Sequence, residues 1–220
     1  MIEPGRQKGP ISDGQIMARL LENGHRRAYA AGAIVFEQGE QANFFPTVIT
    51  GRVKVFRFPS PGKEVIVNIF GPGDSFAFPP VLDGSVFPAS AAAHEDSELL
   101  IINRENFLQL IDESKEFSDF VMSRMSSLLR ETARSIEILA NASTEERLSG
   151  ILLWLSEKEE GEVPVTIQLR REDIAQIAGL TTETTIRSIR RLADREIVKI
   201  EKGKIVIYDT EALREFSRGY

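Results

Sequence analysis

Apolar positions along this chain follow two rhythms. From about residue 29 to 103 they recur in short runs, AIVFEQ (33–38), FPTVITG (45–51), RVKVFRF (52–58), EVIVNIF (64–70) and SELLIIN (97–103). Turn formers separate them: Gly39-Glu40, Gly51, Ser60-Pro61-Gly62-Lys63, Gly71-Pro72-Gly73-Asp74 and Asp83-Gly84. β-branched and aromatic runs punctuated in this way predict strands of a sandwich or jelly roll, here a β-roll. VKVFRFPSPGKEVIVNIF reads as a hairpin, and the proline-rich stretch 76–88 interrupts the strands as a short helix and loop against the roll.

After Asn103 the period becomes helical. Residues 115–140 contain neither Gly nor Pro, and Val121, Met125, Leu128, Thr132, Ser135 or Ile136, and Leu139 follow a coiled-coil-like seam. Leu129, Ala133 and Ala140 widen that seam, so the helix is expected to face both its own β domain and a second copy of the chain. The dimer-interface expectation is Val121, Met125, Leu128, Thr132, Ile136 and Leu139. Ser143-Thr144-Glu145-Glu146 then reads as a capping box opening the next helix, which places a boundary near Asn141. The expected division is 1–114 for the β-roll with an N-terminal helical segment, 115–141 for the long helix and 142–220 for a C-terminal domain.

The strongest local signal lies in LRREDIAQIAGLTTETTIRSIRRL, residues 169–192. Ile174, Ile177 and Ala178 recur at helical spacing, Gly179 stops the helix, and Thr181 or Thr182 can cap a second one. In that second helix Thr185, Ile189 and Leu192 face inward, while Glu183, Arg187, Arg190 and Arg191 face out. This is the pattern of a helix-turn-helix, whose second helix lies in the DNA major groove. Arg can pair bidentately with guanine there, and Glu can accept from cytosine N4. Ile197, Val198 and Ile200, then Ile205, Val206 and Ile207, flank Lys202-Gly203-Lys204 as a basic-tipped hairpin, and Val163, Val165, Ile167 and Leu169 alternate like a further strand. Together these predict a winged helix-turn-helix behind a β-roll, an α+β chain. The DNA-contacting set is then Arg170, Thr181, Thr182, Glu183, Thr184, Ile186, Arg187 and Arg190, with Lys202 and Lys204 at the wing tip.

A formal charge of −6 over 220 residues fits DNA binding only once it is divided along the chain. Residues 168–204 carry nine basic and six acidic side chains, a local +3, so the acidic excess lies elsewhere. Cysteine is absent, which removes disulfides, thiolate metal sites and cysteine-ligated iron–sulfur clusters. No apolar run approaches a membrane span and the N-terminus lacks a signal-peptide core, so a cytoplasmic protein is expected. A cupin-type metal enzyme in the roll would need two or three converging histidines with a Glu, and His25 and His94 cannot supply them. No catalytic role is expected.

The order of β-roll, long helix and winged helix resembles the Crp/Fnr family of bacterial transcription regulators. GEQANFFPTVITGRVKVFRF, Gly71-Pro72-Gly73-Asp74-Ser75-Phe76 and REDIAQIAGLTTETTIRSIRRL each resemble a family motif, in the family's order, from about residue 29 to 213. The resemblance implies a cyclic-nucleotide-binding-like fold and a homodimer on a palindromic operator in double-stranded DNA, with RNA polymerase as a further partner. It gives Glu183 and Arg187 the base-reading roles, and thymine-methyl contact is the expectation for Ile186.

The same resemblance places the effector site between the roll and the long helix. Family members that bind a cyclic nucleotide carry a Glu and an Arg-Ser pair there; this chain has Phe78 at the Glu position and Phe87-Pro88 or Pro88-Ala89 at the pair. Neither carries charge, which argues against cyclic AMP. What remains is an expected apolar pocket of Phe76, Phe78, Pro79, Pro80, Val81, Leu82, Phe87 and Pro88, capped by Met125, Leu129 and Thr132 of the long helix. That character resembles the nitric-oxide-responsive, DNR-like branch, with haem as a candidate cofactor. His25 and His94, or Met122 and Met125, are the available haem ligands. A regulator without an effector is the alternative.

Overall fold

The computed structural model describes residues 13–140, 143–158 and 163–219, and the boundary expected near Asn141 lies outside them. The chain forms two compact units, the first ending at Arg130 and the second beginning at Glu131.

In the first unit, helix α1 (Asp13–Asn23) precedes seven strands: β1 (His25–Tyr29), β2 (Ile34–Phe36), β3 (Phe44–Thr50), β4 (Val53–Ser60), β5 (Lys63–Phe70), β6 (Ser90–Ala93) and β7 (Ser97–Asn103). They form a three-stranded sheet, β1-β7-β3, and a four-stranded sheet, β2-β6-β4-β5, all antiparallel. Both feed one apolar core that includes Phe45, Val48, Val53, Leu99 and Ile102. β6 was not legible as a strand, because Ser-Ala-Ala-Ala lacks β-forming residues. It sits between β2 and β4 with Ala91, Ala92 and Ala93 buried, where small side chains are what the space admits.

The expected short helix is α2 (Phe78–Asp83), entered through Ala77 in the left-handed region at φ 63°. Two outgoing helices follow, α3 (Arg104–Glu113) and α4 (Lys115–Ala140). Asn103 caps α3 by accepting from the Asn106 N–H at 2.7 Å. Arg104, its first residue, turns back to donate to the Val81 and Leu82 carbonyls at 2.8 and 3.1 Å, closing the C-terminal end of α2.

The second unit takes in the last turns of α4 and contains α5 (Thr144–Lys158), β8 (Val165–Ile167), α6 (Arg171–Ala178), α7 (Thr182–Asp194), β9 (Lys199–Glu201), β10 (Lys204–Ile207) and α8 (Thr210–Ser217). The capping box at the start of α5 is real: Ser143 Oγ accepts from the Glu146 N–H at 3.1 Å, and the Ser143 N–H reaches back to Glu146 at 3.3 Å. Strand order β8-β10-β9 makes the winged sheet, and α8 adds a helix beyond the expected pattern. The α4 end meets α5 at a glycine, where a Cβ on Gly150 would stand 3.1 Å from Ile138. Arg134 forks onto Glu157, which Arg214 of α8 also approaches at 3.5 Å.

Gly51 turns β3 into β4 at φ +78°, and a Cβ there would overlap Ser97 Oγ and stand 2.5 Å from the Asp96 carbonyl oxygen. Gly62, in the β4–β5 turn at φ +76°, has open space around it. Gly62→Ala should therefore cost about 1 kcal/mol of left-handed strain. Gly51→Ala adds overlap with backbone and should cost about 3 kcal/mol. Urea unfolding of the two variants checks this, and equal losses would contradict it.

Candidate nucleic-acid interface

The helix-turn-helix is built by two local devices. Gly179 takes φ 66° after α6 and its N–H closes on the Gln176 carbonyl at 3.4 Å, which only an unbranched, Cβ-free residue does without strain. Thr181 then caps α7: its hydroxyl accepts from the Thr184 N–H at 3.2 Å and donates to the Thr184 hydroxyl at 2.8 Å. Thr185, Ser188, Ile189 and Leu192 are buried against the unit's core, which fixes which face α7 presents outward. Thr182, Glu183, Arg187 and Arg190 lie on that outward face; Thr184 and Ile186 are half-buried at its margins.

Charges on this face are ordered before any DNA is present. Arg187 pairs with Glu183 at 2.7 Å, one helical turn apart and both largely exposed. Arg191 is drawn away to Glu145 of α5 at 2.7 Å, and that hydrogen bond holds the Glu145 carboxyl below the usual range. Arg190 has no partner among the described residues. Exposed pairs of this kind contribute little to stability, so they are cheap to reorganise around a base or phosphate.

The wing is a two-residue turn. Lys202 and Gly203 both take positive φ, 48° and 80°, as the tight hairpin between β9 and β10 requires. Lys202 and Lys204 are exposed, and Lys204 Nζ reaches Gln168 Oε1 at 3.2 Å. Of the expected DNA-contacting residues, Arg170 stands apart: it is the residue before α6, its N–H donates to Asp173 at 3.0 Å, and its side chain is exposed. Its neighbour Arg171, absent from the expected set, is half-buried with its Nη2 donating to the Gly203 carbonyl at 3.2 Å. Two successive arginines differ here only in which one the helix turns inward, and that follows from tertiary packing.

These features match known regulators over almost their full length. Residues 26–114 match the family described as the cyclic nucleotide-binding domain, and residues 146–216 match the Crp-like helix-turn-helix domain. The cyclic AMP receptor protein of Thermus thermophilus is 30% identical over 194 residues, covering 88% of each chain. This chain belongs to the Crp/Fnr family of transcription regulators. The nitrogen fixation regulation protein FixK of Rhizobium meliloti is 27% identical over 187 residues, covering 84% of each chain. In fold, the chain is similar to FixK2 of Bradyrhizobium japonicum, with a TM-score of 0.78 at 21% identity over 88% of this chain and 96% of that one. The DNA-binding helix-turn-helix is thus established for this family member, and no described helix is long and apolar enough to cross a membrane.

In the β domain the residues of the expected pocket divide by burial. Phe76, Phe78, Val81 and Phe87 are buried in the core, while Pro79 and Pro88 are exposed. Phe36 and Phe87 stack at 3.7 Å between ring centres, and Phe70 and Phe76 at 4.8 Å. Phe78 meets Phe45 edge-on at 4.8 Å and reaches Phe107 of α3 and Phe120 of α4 at 6.5 and 6.3 Å. Phe76, Phe78 and Phe87, expected to line a ligand cavity, each pack against other aromatic rings. On α4, Met125 packs against this core, whereas Leu129 and Thr132 are exposed.

Neither histidine belongs to that aromatic cluster. His25 is exposed on edge strand β1, and His94 lies in the β6–β7 turn with its N–H on the Arg52 carbonyl. Among the described residues no group of three His, Cys, Asp or Glu could hold a metal ion. Of the residues expected along the α4 seam, Val121 is buried in its own domain, while Met125 and Leu128 are half-buried. The outward apolar residues are Met122, Leu129, Ile136 and Leu139, at 67, 70, 65 and 46% exposure. The first turns of α4 spend Phe117 and Val121 on the β-domain core, which leaves Met122 outward beside Val121, while Ile136 and Leu139 of the expected seam are outward.

Proposed function

We propose that this chain is a homodimeric, sequence-specific DNA-binding transcription regulator that acts on a palindromic operator and has no catalytic role. The observation that carries the reading is the outward face of α7, where Glu183, Arg187 and Arg190 stand clear of the core on a helix fixed by the Thr181 cap. Glu183 and Arg187 read base edges, Arg187 a guanine and Glu183 the cytosine of a C·G pair. Arg190, Lys202 and Lys204 meet phosphates, as does the exposed Arg170. Ile186, at the margin of the face, offers its methyl groups to a thymine.

The dimer supplies the second half-site, about 34 Å away along the duplex. Its seam is read from Met122, Met125, Leu129, Thr132, Ile136 and Leu139, which alternate three and four residues apart along α4. Apolar side chains this exposed along one helix stripe favour a second copy of the same helix as their cover. RNA polymerase is the further partner that regulation of transcription requires, and the cytoplasm is where the chain would meet it.

On effector control, the packed β domain favours the second reading, a regulator that binds its operator without a small molecule inside the roll. A cyclic nucleotide does not fit: Phe78, Phe87 and Pro88 occupy the positions that would hold its ribose and phosphate, and a buried phosphate without a cation costs several kcal/mol. Haem does not fit the interior either, with His25 at a sheet edge, His94 in a turn and both outside the aromatic cluster. The likeness to the nitric-oxide-responsive branch therefore rests on apolar character alone. Regulation by the amount of protein, or by an event on α4, is the consistent alternative.

Ile136→Asp should convert the protein to a monomer by sedimentation velocity and lower operator affinity by about a hundredfold or more through loss of two-site binding. A dimer that persists would refute the seam. Arg187→Ala should relax preference at one base pair by about 1–3 kcal/mol in competition binding while leaving the other positions unchanged. Purified protein should bind its selected operator equally well with no addition, with cyclic AMP and with haem. A stoichiometric Soret band that shifts with nitric oxide, together with altered operator affinity, would overturn the ligand-free reading.

A further inference from the structure

The wing of this domain is a small projection with a weak hold of its own. β9 (Lys199–Glu201) is exposed along its length and pairs only with β10, which in turn pairs with β8. A two-stranded projection of three and four residues is marginal without outside support. Support comes from the segment that leads into α6. Leu169 is buried there, and Gln168 and Arg171 on either side of it both reach the wing. Gln168 accepts from Lys204 at 3.2 Å, and Arg171 donates to the carbonyl of Gly203, the second residue of the turn, at 3.2 Å.

The two ties are unequal. Lys204 to Gln168 joins two exposed side chains, whereas Arg171 is half-buried and bonds a main-chain atom whose position is the position of the tip itself. A guanidinium on a carbonyl is a charge-assisted bond. Burial also lowers the Arg171 pKa from its ordinary value, the mark of a cation that has given up water for its place in the fold. Lys202, immediately before the bonded glycine, is exposed in the turn at φ 48° and has no partner among the described residues.

We propose that Arg171 is a positioning residue for DNA binding: its guanidinium holds the Gly203 carbonyl and thereby fixes the wing tip where Lys202 meets a phosphate. The inference rests on the reading above that the wing touches the operator. It assigns the adjacent arginines separate tasks, Arg170 outward toward DNA and Arg171 inward onto the wing.

The test is a double-mutant cycle on the full-length protein, reading operator affinity by fluorescence anisotropy over a range of salt. Lys202→Ala should lower the salt slope by about 2, as loss of one phosphate contact in each half-site does. Arg171→Ala should lower affinity by about tenfold or more per half-site, the size of a lost charge-assisted bond, and reduce the slope by the same two contacts. The double variant should be no worse than the poorer single one. Multiplied affinity losses and a slope lowered by four contacts in the double variant would overturn the proposal, since Arg171 would then hold a phosphate itself. Amide exchange across residues 202–204 of the free protein separates the two layers: it should quicken in Arg171→Ala and stay near wild type in Arg171→Lys, which keeps a cationic donor. Unchanged exchange in Arg171→Ala sinks the clasp whatever the DNA data show. Quickened exchange with no affinity loss in Lys202→Ala keeps the clasp, and overturns the wing–DNA reading and the DNA-positioning role with it. Arg171→Lys folding as wild type guards against loss of the domain as the cause.

Discussion

One helix serving two hydrophobic cores is the constraint on which the rest of this molecule depends. α4 gives Phe117 and Val121 to the β-domain interior, and its last turns give Ile138 to the DNA-binding unit, where Gly150 admits it. A Cβ at position 150 would crowd the Ile138 side chain at 3.1 Å, so the glycine lets α4 and α5 approach closely there. Arg134 on Glu157, with Arg214 beside it, adds a charged clasp at the same junction. Because these inward positions are already used, only the residues between them are left to face outward, and those are Met122, Leu129, Ile136 and Leu139.

Within the DNA-binding unit, recognition depends on burying the opposite face of α7 as much as on the groups it displays. Thr185, Ile189 and Leu192 lock the rotation of the helix, and the Thr181 cap locks its start. Arg191, one residue from Arg190, is diverted to Glu145 by that same rotation. The wing is set in the same manner, by Arg171 and Gln168 from the segment ahead of α6. Long cationic side chains thus divide into those that build the surface and those that present charge, and the division follows burial.

The β domain illustrates how a family fold can keep its backbone while its interior changes. Ala77 holds the left-handed turn into α2, and Arg104 closes the other end of that helix. Inside, aromatic rings on β2, β3, α2, α3 and α4 pack on one another at separations typical of paired rings. Burying these Phe side chains stabilises the roll.

Much of this was legible in the order of residues. Alternation marked most of the strands, the Gly- and Pro-free run marked α4, and the Gly179 and Thr181 punctuation marked the two helices of the DNA-binding motif, because turns and caps are local and carry their own chemistry. β6 escaped, since an alanine strand is chosen by the space between its neighbours and not by its own propensity. At the start of α4, Val121 and Met122 are equally apolar in sequence, and only the β-domain core decides which is buried. Likewise, sequence marked Phe76, Phe78 and Phe87 as an apolar group, and tertiary packing set which rings each of them meets. Sequence by itself determined the family, the element order and the reading helix; tertiary structure decided which of two adjacent side chains turns inward, because that choice depends on neighbours distant along the chain.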